Sequence, residues 1–328
     1  MYLITGGLGF IGLNFVNYCL KKNKKVIVID CETYAANKYY KILKEKKIIY
    51  YKKKIGDNLL PILKQHKIST VINFAAETHV DNSIKNPKRF IDSNIIQLIK
   101  LFNCSKNYFL KLNNLKKKKF KFIQISTDEV FGSLKKKQSK FKETNKFFPN
   151  NPYSATKAAG DMFARAWFKT YDLPIITTNC SNNYGRYQNK EKLIPKIILN
   201  SIKGKTIPIY GDGRNTREWI HVNDHCEAIL RLIKKGIVGD TYNIGSDYEI
   251  ENIKLVKLIC KILDEIYPKK NNLSYFDQVK FVKDRKAHDL RYSINSNKIK
   301  RLTSWKAKIN FDKGLRDTIK FYVEQSKR

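Results

Sequence analysis

Short apolar runs alternate with segments of helical period through the first half of the chain. Strands are expected at Tyr2–Thr5, Val26–Asp30, Ile48–Tyr51, Val71–Phe74, Phe120–Ser126 and Ile175–Thr178. Between them the spacing predicts helices at about Ile11–Lys21, Asn58–His66, Pro87–Ser105 and Tyr153–Tyr171. Runs such as Val26-Ile27-Val28-Ile29 do not alternate with polar residues, so both faces of the strand must be covered. Strand–helix alternation with such runs implies an α/β fold with a doubly wound parallel sheet. Beyond about residue 180 the pattern becomes mixed. A helix near Leu193–Lys203 precedes short strands near Ile207–Tyr210 and Glu218–His221, then helices at Asp224–Lys235, Asn252–Tyr267 and Phe311–Ser326. We therefore expect residues 1–180 to form a large domain completed by later segments, and 181–328 to form mostly a smaller mixed α/β lobe interleaved with it. Segment Lys111–Lys121 reads as a basic surface loop.

Composition narrows the classes. With 328 residues, 42% of them hydrophobic, the chain can bury a substantial core. No apolar run approaches the roughly 20 residues needed to cross a bilayer. The first residues read as a core strand entering a glycine turn, without the features of a signal peptide. Six cysteines lie far apart with no Cys-x-x-Cys pair, which fits reduced thiols in a cytoplasmic protein and gives no zinc site. The net charge of +36 would by itself suggest nucleic acid or another anionic partner. The lysines are nevertheless spread along the chain, as in Lys21–Lys25, Lys116–Lys119 and Lys135–Lys137, among abundant Asn, Ile and Tyr. A compositional drift produces this pattern, no nucleic-acid motif accompanies it, and the expectation is a passive charge.

The first turn carries the first chemistry. Gly6, Gly9 and Gly12 form a G-x-x-G-x-x-G pattern, with Phe10 and Ile11 inside it, between the first strand and the first helix. Such glycines allow a tight turn, a close approach of backbone to a pyrophosphate, and close helix–sheet packing. The helix N-terminus then offers free N–H groups to the phosphates. Asp30 ends the second strand, where a carboxylate accepts bonds from the adenosine ribose and repels a 2′-phosphate. The expected cofactor is NAD, bound by a Rossmann-type domain.

Ser126-Thr127-Asp128-Glu129 follows the fifth strand, and Tyr153 and Lys157 lie one turn apart on a helix opened by Asn151-Pro152. A phenol with its pKa near 10 is a poor base, and a neighbouring ammonium with the positive nicotinamide ring would lower it. Tyr153 could then take a proton from a sugar hydroxyl while the carbon beneath gives its hydride to NAD, with Thr127 bonded to the same hydroxyl. The two acids after Thr127 add an elimination apparatus to a hydride-transfer apparatus.

The assembled pattern resembles the extended short-chain dehydrogenase/reductase superfamily and, within it, the dTDP-glucose 4,6-dehydratases. The similarity runs nearly end to end, through Ala75–Asp81, Ser126–Gly132, Pro152–Ala158, Thr178–Gly185, Glu191–Pro195, Tyr210–Gly213 with Arg217, and Asp284-Arg285 with His288–Tyr292. The resemblance implies that dTDP-glucose is oxidised at C4, loses water across C5–C6, and regains hydride at C6, with NAD tightly bound and regenerated each turnover. It implies that Glu129 takes the C5 proton and Asp128 protonates the departing C6 hydroxyl. It further places Asn182, Lys192, Arg217, Asn252, Arg285 and His288 on the nucleotide, with His79 and Ser126 among the substrate contacts. Asp57 would meet the adenine, and Ala75, Ala76, Thr78 and Asn94 would line the cofactor or sugar site. The same resemblance implies a homodimer through the helices at Pro87–Ser105 and Tyr153–Tyr171. The chain departs from the family pattern at Asn58, at Arg186 and at Lys286-Ala287, which bear on nucleotide affinity and loop stiffness. Two other readings compete: a UDP-sugar 4-epimerase or decarboxylase, which has no need of Asp128-Glu129, and a basic nucleic-acid-binding protein.

Overall fold

A computed structural model describes residues 1–37, 48–270 and 273–327. In chain order its strands are β1 (Tyr2–Thr5), β2 (Val26–Asp30), β3 (Ile49–Lys52), β4 (Thr70–Asn73), β5 (Lys121–Thr127), β6 (Ile175–Cys180), β7 (Asn182–Tyr184), β8 (Ile207–Tyr210), β9 (Thr216–His221), β10 (Thr241–Ile244), β11 (Glu249–Glu251), β12 (Val279–Val282) and β13 (Arg291–Tyr292). Seven of them form a parallel sheet in the order β10-β6-β5-β4-β1-β2-β3. The order reverses between β1 and β4, so a crevice opens at their carboxyl ends, where ligands bind in doubly wound sheets. The period-2 geometry of the strands explains their unbroken apolar runs. Ile4, Val28, Ile72, Ile123 and Ile176 point to one core, with helices Phe10–Lys21 and Val222–Lys235. Leu3, Ile27, Ile29, Val71 and Phe122 point to the other, with helices Gln97–Leu110 and Pro152–Tyr171.

The later part of the chain serves two cores. Helix Val222–Lys235 and strand β10 return to the large sheet. Helices Leu193–Ile202, Asn252–Ile266 and Phe311–Ser326 close a separate core around Trp219, Ile207 and Ile209. Strands β7, β9, β11 and β13 form a small mixed sheet, and β8 pairs with β12. Strand β7 follows β6 after one residue, which sets the small sheet beside the carboxyl edge of the large one.

Several elements differ from expectation. The helix expected over Pro87–Ser105 runs as Pro87–Ile91, a π-turn at Asp92–Ile96, and Gln97–Leu110. The wider turn carries Asn94, buried, whose amide bonds both Glu77 and Thr156. Segment Lys111–Lys121 is not a plain loop: Asn113 caps a short helix, Asn114–Lys119, by accepting from the Lys116 N–H at 3.0 Å. The helix expected at Asn58–His66 is shorter, Leu60–Gln65, because Pro61 sits at its start and Asn58 caps the backbone just before it.

Candidate active site

The cofactor crevice is built by β1, β2 and β4. Gly6 takes φ +64°, and a Cβ there would lie 2.6 Å from the backbone nitrogen of Ala75. At Gly12 a Cβ would lie 2.2 Å from the Gly6 carbonyl oxygen. Both positions therefore exclude a side chain. Helix Phe10–Lys21 starts at Gly9 with no side-chain cap, so the N–H groups of its first turn, at Phe10, Ile11 and Gly12, face outward for an anion. A cleft of about 940 Å³, open mouth included, is lined by Gly6, Gly9, Asp30, Ile55, Ala75 and Ala76 among others. Asp30 receives the backbone N–H of Leu8 on one oxygen, at 3.0 Å, and that of Glu32 on the other, at 2.8 Å. Each oxygen keeps a lone pair for a ribose hydroxyl. Burial raises the Asp30 pKa while those N–H groups lower it. A glycine cradle, a free helix start and a fixed strand-end carboxylate together fit a dinucleotide. Asp57 is exposed, and its carboxylate holds the Lys54 N–H at 2.9 Å, outside the cleft lining. The Asn94 amide is committed to protein partners on both of its atoms.

The residues expected to be catalytic meet where β5 ends against helix Pro152–Tyr171. Asn151 and Ser154 form a capping box at that helix start, and the Tyr153 N–H donates to Ser83 at 3.1 Å, so the tyrosine is fixed by its own backbone. Thr127, Asp128 and Tyr153 are all buried. The Thr127 hydroxyl donates to Asp128 Oδ1 at 3.2 Å and accepts from the Glu129 N–H at 3.3 Å. Burial, the Glu129 charge and then the Glu218 charge hold the Asp128 carboxyl well above the usual range, and its Oδ2 has no partner among the described residues. Burial raises Glu129 too, but Arg285, Lys192 and Arg217 pull it back. Both acids are thus raised, Asp128 well above the usual range, and Glu129 with its rise restrained by three cations.

Tyr153 requires a correction. The phenol is pushed well above its ordinary value, by burial first and then by Glu129, Cys180 and Asp128, with Thr127 pulling the other way. The net shift is upward although Lys157 lies one turn along the helix. Lys157 is itself pulled down by burial, and its ammonium donates to the Ile125 carbonyl at 2.7 Å. Phenolate formation therefore has to draw on the positive nicotinamide ring rather than on Lys157 alone.

The small lobe closes the site from the other side. Arg217 is buried beneath the chain at Asp289-Leu290, donating to the Asp289 carbonyl at 3.0 Å and stacking over Tyr292 at 4.3 Å. Lys192 reaches across to the Thr78 carbonyl at 2.7 Å, and Arg285 Nη1 lies 3.9 Å from Asp81. His288 bonds Asp284 at 2.6 Å, and burial first, then Arg285, pull it down to about 4. His79 caps its helix by accepting from Asn82, with Nε2 3.8 Å from Glu191. Buried polar atoms of Ser126, Asn182, Asn252 and Arg285 have no partner among the described residues, and all four belong to the expected substrate contacts. Such atoms are costly unless a ligand satisfies them. Arg186 has a packing role: its carbonyl accepts from Asn14 at 3.0 Å and its guanidinium faces the Phe321 ring. Ala287 takes φ +51°, a strained conformation that glycine would adopt freely.

Sequence reasoning assigned no role to Asp161, Asn179, Cys180, Asp289 or Tyr292. Asp161 is pushed up to about 6 by burial, against the pull of Lys157, and accepts from Asn179 at 3.0 Å. Its position at i+4 from Lys157 was the available signal. Asn179 also donates to the Thr127 carbonyl at 3.2 Å, a contact that only the β5–β6 pairing creates.

Comparison with known proteins follows this geometry. The GDP-mannose 4,6 dehydratase family model matches residues 3–318. A dTDP-glucose 4,6-dehydratase of Xanthomonas campestris pv. campestris is 42% identical over 98% of this chain and 93% of its own length. The solved dTDP-glucose 4,6-dehydratase DesIV of Streptomyces venezuelae, with NAD bound, superposes with a TM-score of 0.88 at 35% identity, covering 99% of this chain and 98% of that one. A UDP-glucose 4-epimerase of Thermotoga maritima has a TM-score of 0.85 but 24% identity, over 99% of each chain, which establishes the shared fold alone. With a family model matched over almost its whole length and 42% identity to a dTDP-glucose enzyme, the chain belongs to the nucleotide-sugar 4,6-dehydratases of the extended short-chain dehydrogenase/reductase superfamily.

Proposed function

We propose that this protein converts dTDP-glucose to dTDP-4-keto-6-deoxyglucose and water. The observation that carries the reading is the pair of adjacent acids, Asp128 and Glu129, set beside Thr127 and Tyr153, with Asp128 raised well above the usual range and the rise of Glu129 restrained by three cations. An epimerase or simple dehydrogenase needs the tyrosine and lysine but no such pair.

NAD, when bound, supplies the hydride acceptor at C4 and the hydride donor at C6. The remaining work falls to this chain. Tyr153 takes the proton of the C4 hydroxyl, with Thr127 bonded to the same oxygen and Lys157 as the nearby positive charge. The resulting 4-ketone acidifies the C5 hydrogen, which Glu129 removes. Asp128, kept protonated by burial, delivers its proton to the C6 oxygen as water leaves. Glu129 then returns its proton to C5. Arg217, Lys192 and Arg285 hold the diphosphate through charge-assisted bonds. Asn182, Asn252 and His288 hold the nucleoside side, and Ser126 and His79 border the sugar.

Apolar side chains exposed on the two segments support a homodimer: Ile91 and Ile96 on Pro87–Ser105, Met162 and Tyr171 on Tyr153–Tyr171. Reduced cysteines and the absence, among described residues, of a helix able to cross a membrane support a cytoplasmic enzyme. Incubation with dTDP-glucose and NAD, followed by detection of the 4-keto-6-deoxy product, tests the activity. Release of dTDP-galactose instead would favour the epimerase reading.

A further inference from the structure

Helix Pro152–Tyr171 carries Tyr153, Lys157 and Asp161 one turn apart, all buried, so the three share one face. That face is fastened to β5 at two points. Lys157 Nζ donates to the Ile125 carbonyl at 2.7 Å. Further along the strand the Thr127 carbonyl accepts from Asn179 Nδ2 at 3.2 Å, and the same nitrogen donates to Asp161 Oδ2 at 3.0 Å. Asn179 belongs to β6, where it pairs with Ser126 of β5, and it is 0% exposed; Asp161 is 5% exposed. The reaction as derived above makes no use of this second fastening.

We propose that Asp161 and Asn179 act as one positioning pair, which fixes the peptide plane between Thr127 and Asp128 and with it the aim of the two acids at the sugar. The inference rests on the roles given to Asp128 and Glu129 under the proposed function. An amide nitrogen carries two hydrogens, and here each has its own acceptor. Turned the other way, Asn179 would set its oxygen against the Thr127 carbonyl and the Asp161 carboxylate, three acceptors with no donor. Asp161 therefore decides which way Asn179 points. Burial pushes Asp161 up to about 6, against the pull of Lys157, so near neutral pH it is mostly the carboxylate. Its bond to Asn179 is then of the stronger, charge-assisted kind.

The Thr127 carbonyl shares a rigid plane with the Asp128 N–H. Holding that carbonyl sets the direction in which the chain leaves β5 and enters the turn Asp128–Phe131. The groups assigned to C4 oxidation do not depend on the plane. Tyr153 is held by its own helix start and by Ser83, Lys157 by Ile125, and the Thr127 side chain branches before the plane begins. Both acids lie beyond it. Loss of the pair therefore slows elimination more than oxidation. The cations proposed for the diphosphate belong to the small lobe, so the KM for dTDP-glucose should change little.

The test follows a single turnover of the NAD-bound enzyme after rapid mixing with dTDP-glucose. NADH absorbance reports C4 oxidation, and chemical quench reports the 4-keto-6-deoxy product. Both rates come from the same folded molecules, so their ratio does not depend on how much of a variant folds. Asp161→Ala and Asn179→Ala should each slow product formation by about 10²-fold, the cost of a misplacement of about 1 Å, while NADH accumulates and KM stays near that of the wild type. The double variant should be no slower than Asn179→Ala alone, because both changes remove one support. Asp161→Asn keeps an acceptor oxygen for Asn179 and should stay within about tenfold of the wild type. Where an alanine variant does not fold, Asp161→Ser and Asn179→Ser make the same comparison with polar side chains too short to bridge. A wild-type ratio of the two rates, losses that multiply in the double variant, or Asp161→Asn as slow as Asp161→Ala would overturn the pair. Glu129→Gln separates this from the underlying reading. If that variant forms product at the wild-type rate, the acid assignment fails; if it is blocked while the pair variants keep the wild-type ratio, the positioning pair alone fails.

Discussion

Glu129 and Asp128 are neighbours just past one strand end, both raised by burial but only Asp128 well above the usual range, and their separate roles are testable one residue at a time. Glu129→Gln keeps the shape and removes the base. It should allow C4 oxidation, accumulate bound NADH, and abolish exchange of the C5 hydrogen with solvent deuterium. Asp128→Asn should slow loss of the C6 hydroxyl while C5 exchange persists. Each substitution should cost about 10²–10⁴-fold in turnover, with a thermal unfolding profile close to that of the wild type. Wild-type turnover in both variants would remove the two-acid mechanism. Asp30 supports a second prediction at this scale. Its two oxygens are aligned by Leu8 and Glu32, so Asp30→Ala should weaken NAD binding and narrow its advantage over NADP, as read by calorimetric titration of each. Equal wild-type affinity for NAD and NADP would contradict the ribose assignment. Of the residues missed from the sequence, Asp161 had a local signal in Lys157 one turn before it, whereas Asn179 gains its meaning from Thr127, which the β5–β6 pairing brings to it.

At the scale of elements, the helix Val222–Lys235 ties the two lobes and carries a pH sensitivity. His225 on this helix is fully buried, bonds Asn183 at 2.9 Å, and is pulled down to about 3 by burial. The unfolded chain binds a proton near pH 6.5 and the folded chain does not. Stability from this group is therefore complete above that pH and is lost as pH falls toward 3. Between pH 7 and pH 5 the loss should be about 2 kcal/mol. Denaturant melts of wild type and His225→Asn should show a shallower pH dependence in the variant over that interval. Parallel slopes would place the acid sensitivity elsewhere. The strands of the large sheet were legible because double-sided burial demands unbroken apolar runs. The helix at Asn114–Lys119 was not, because a solvated helix with no buried residue leaves no apolar period to read.

For the whole molecule, the charge of +36 spreads over exposed lysines, and many acidic residues are already paired within the fold, as in Arg291–Glu249 and Arg89–Glu77. Binding to generic duplex DNA should be weak and should vanish as salt rises, while turnover persists, measured by fluorescence anisotropy beside an activity assay. A sequence-selective complex that survives high salt would give the charge a function. Under the proposed function three cations, Lys192, Arg217 and Arg285, would hold the diphosphate.

The chain's linear pattern was enough for the parallel α/β architecture, the glycine turn, Asp30, and the acid pair beside a Tyr-x-x-x-Lys. Each is encoded by residues close together in sequence, through backbone geometry or helical and strand periods. Folding decided the rest. How far Glu129 is raised depends on burial and on Arg285, Lys192 and Arg217, separated from it by 60 residues or more and brought to it by the small lobe. The upward shift of Tyr153 and the turning of Lys157 toward Ile125 depend on how helix Pro152–Tyr171 seats against β5. Electrostatic energies in a buried site follow distance through space and solvent exclusion, and neither is written in the order of residues.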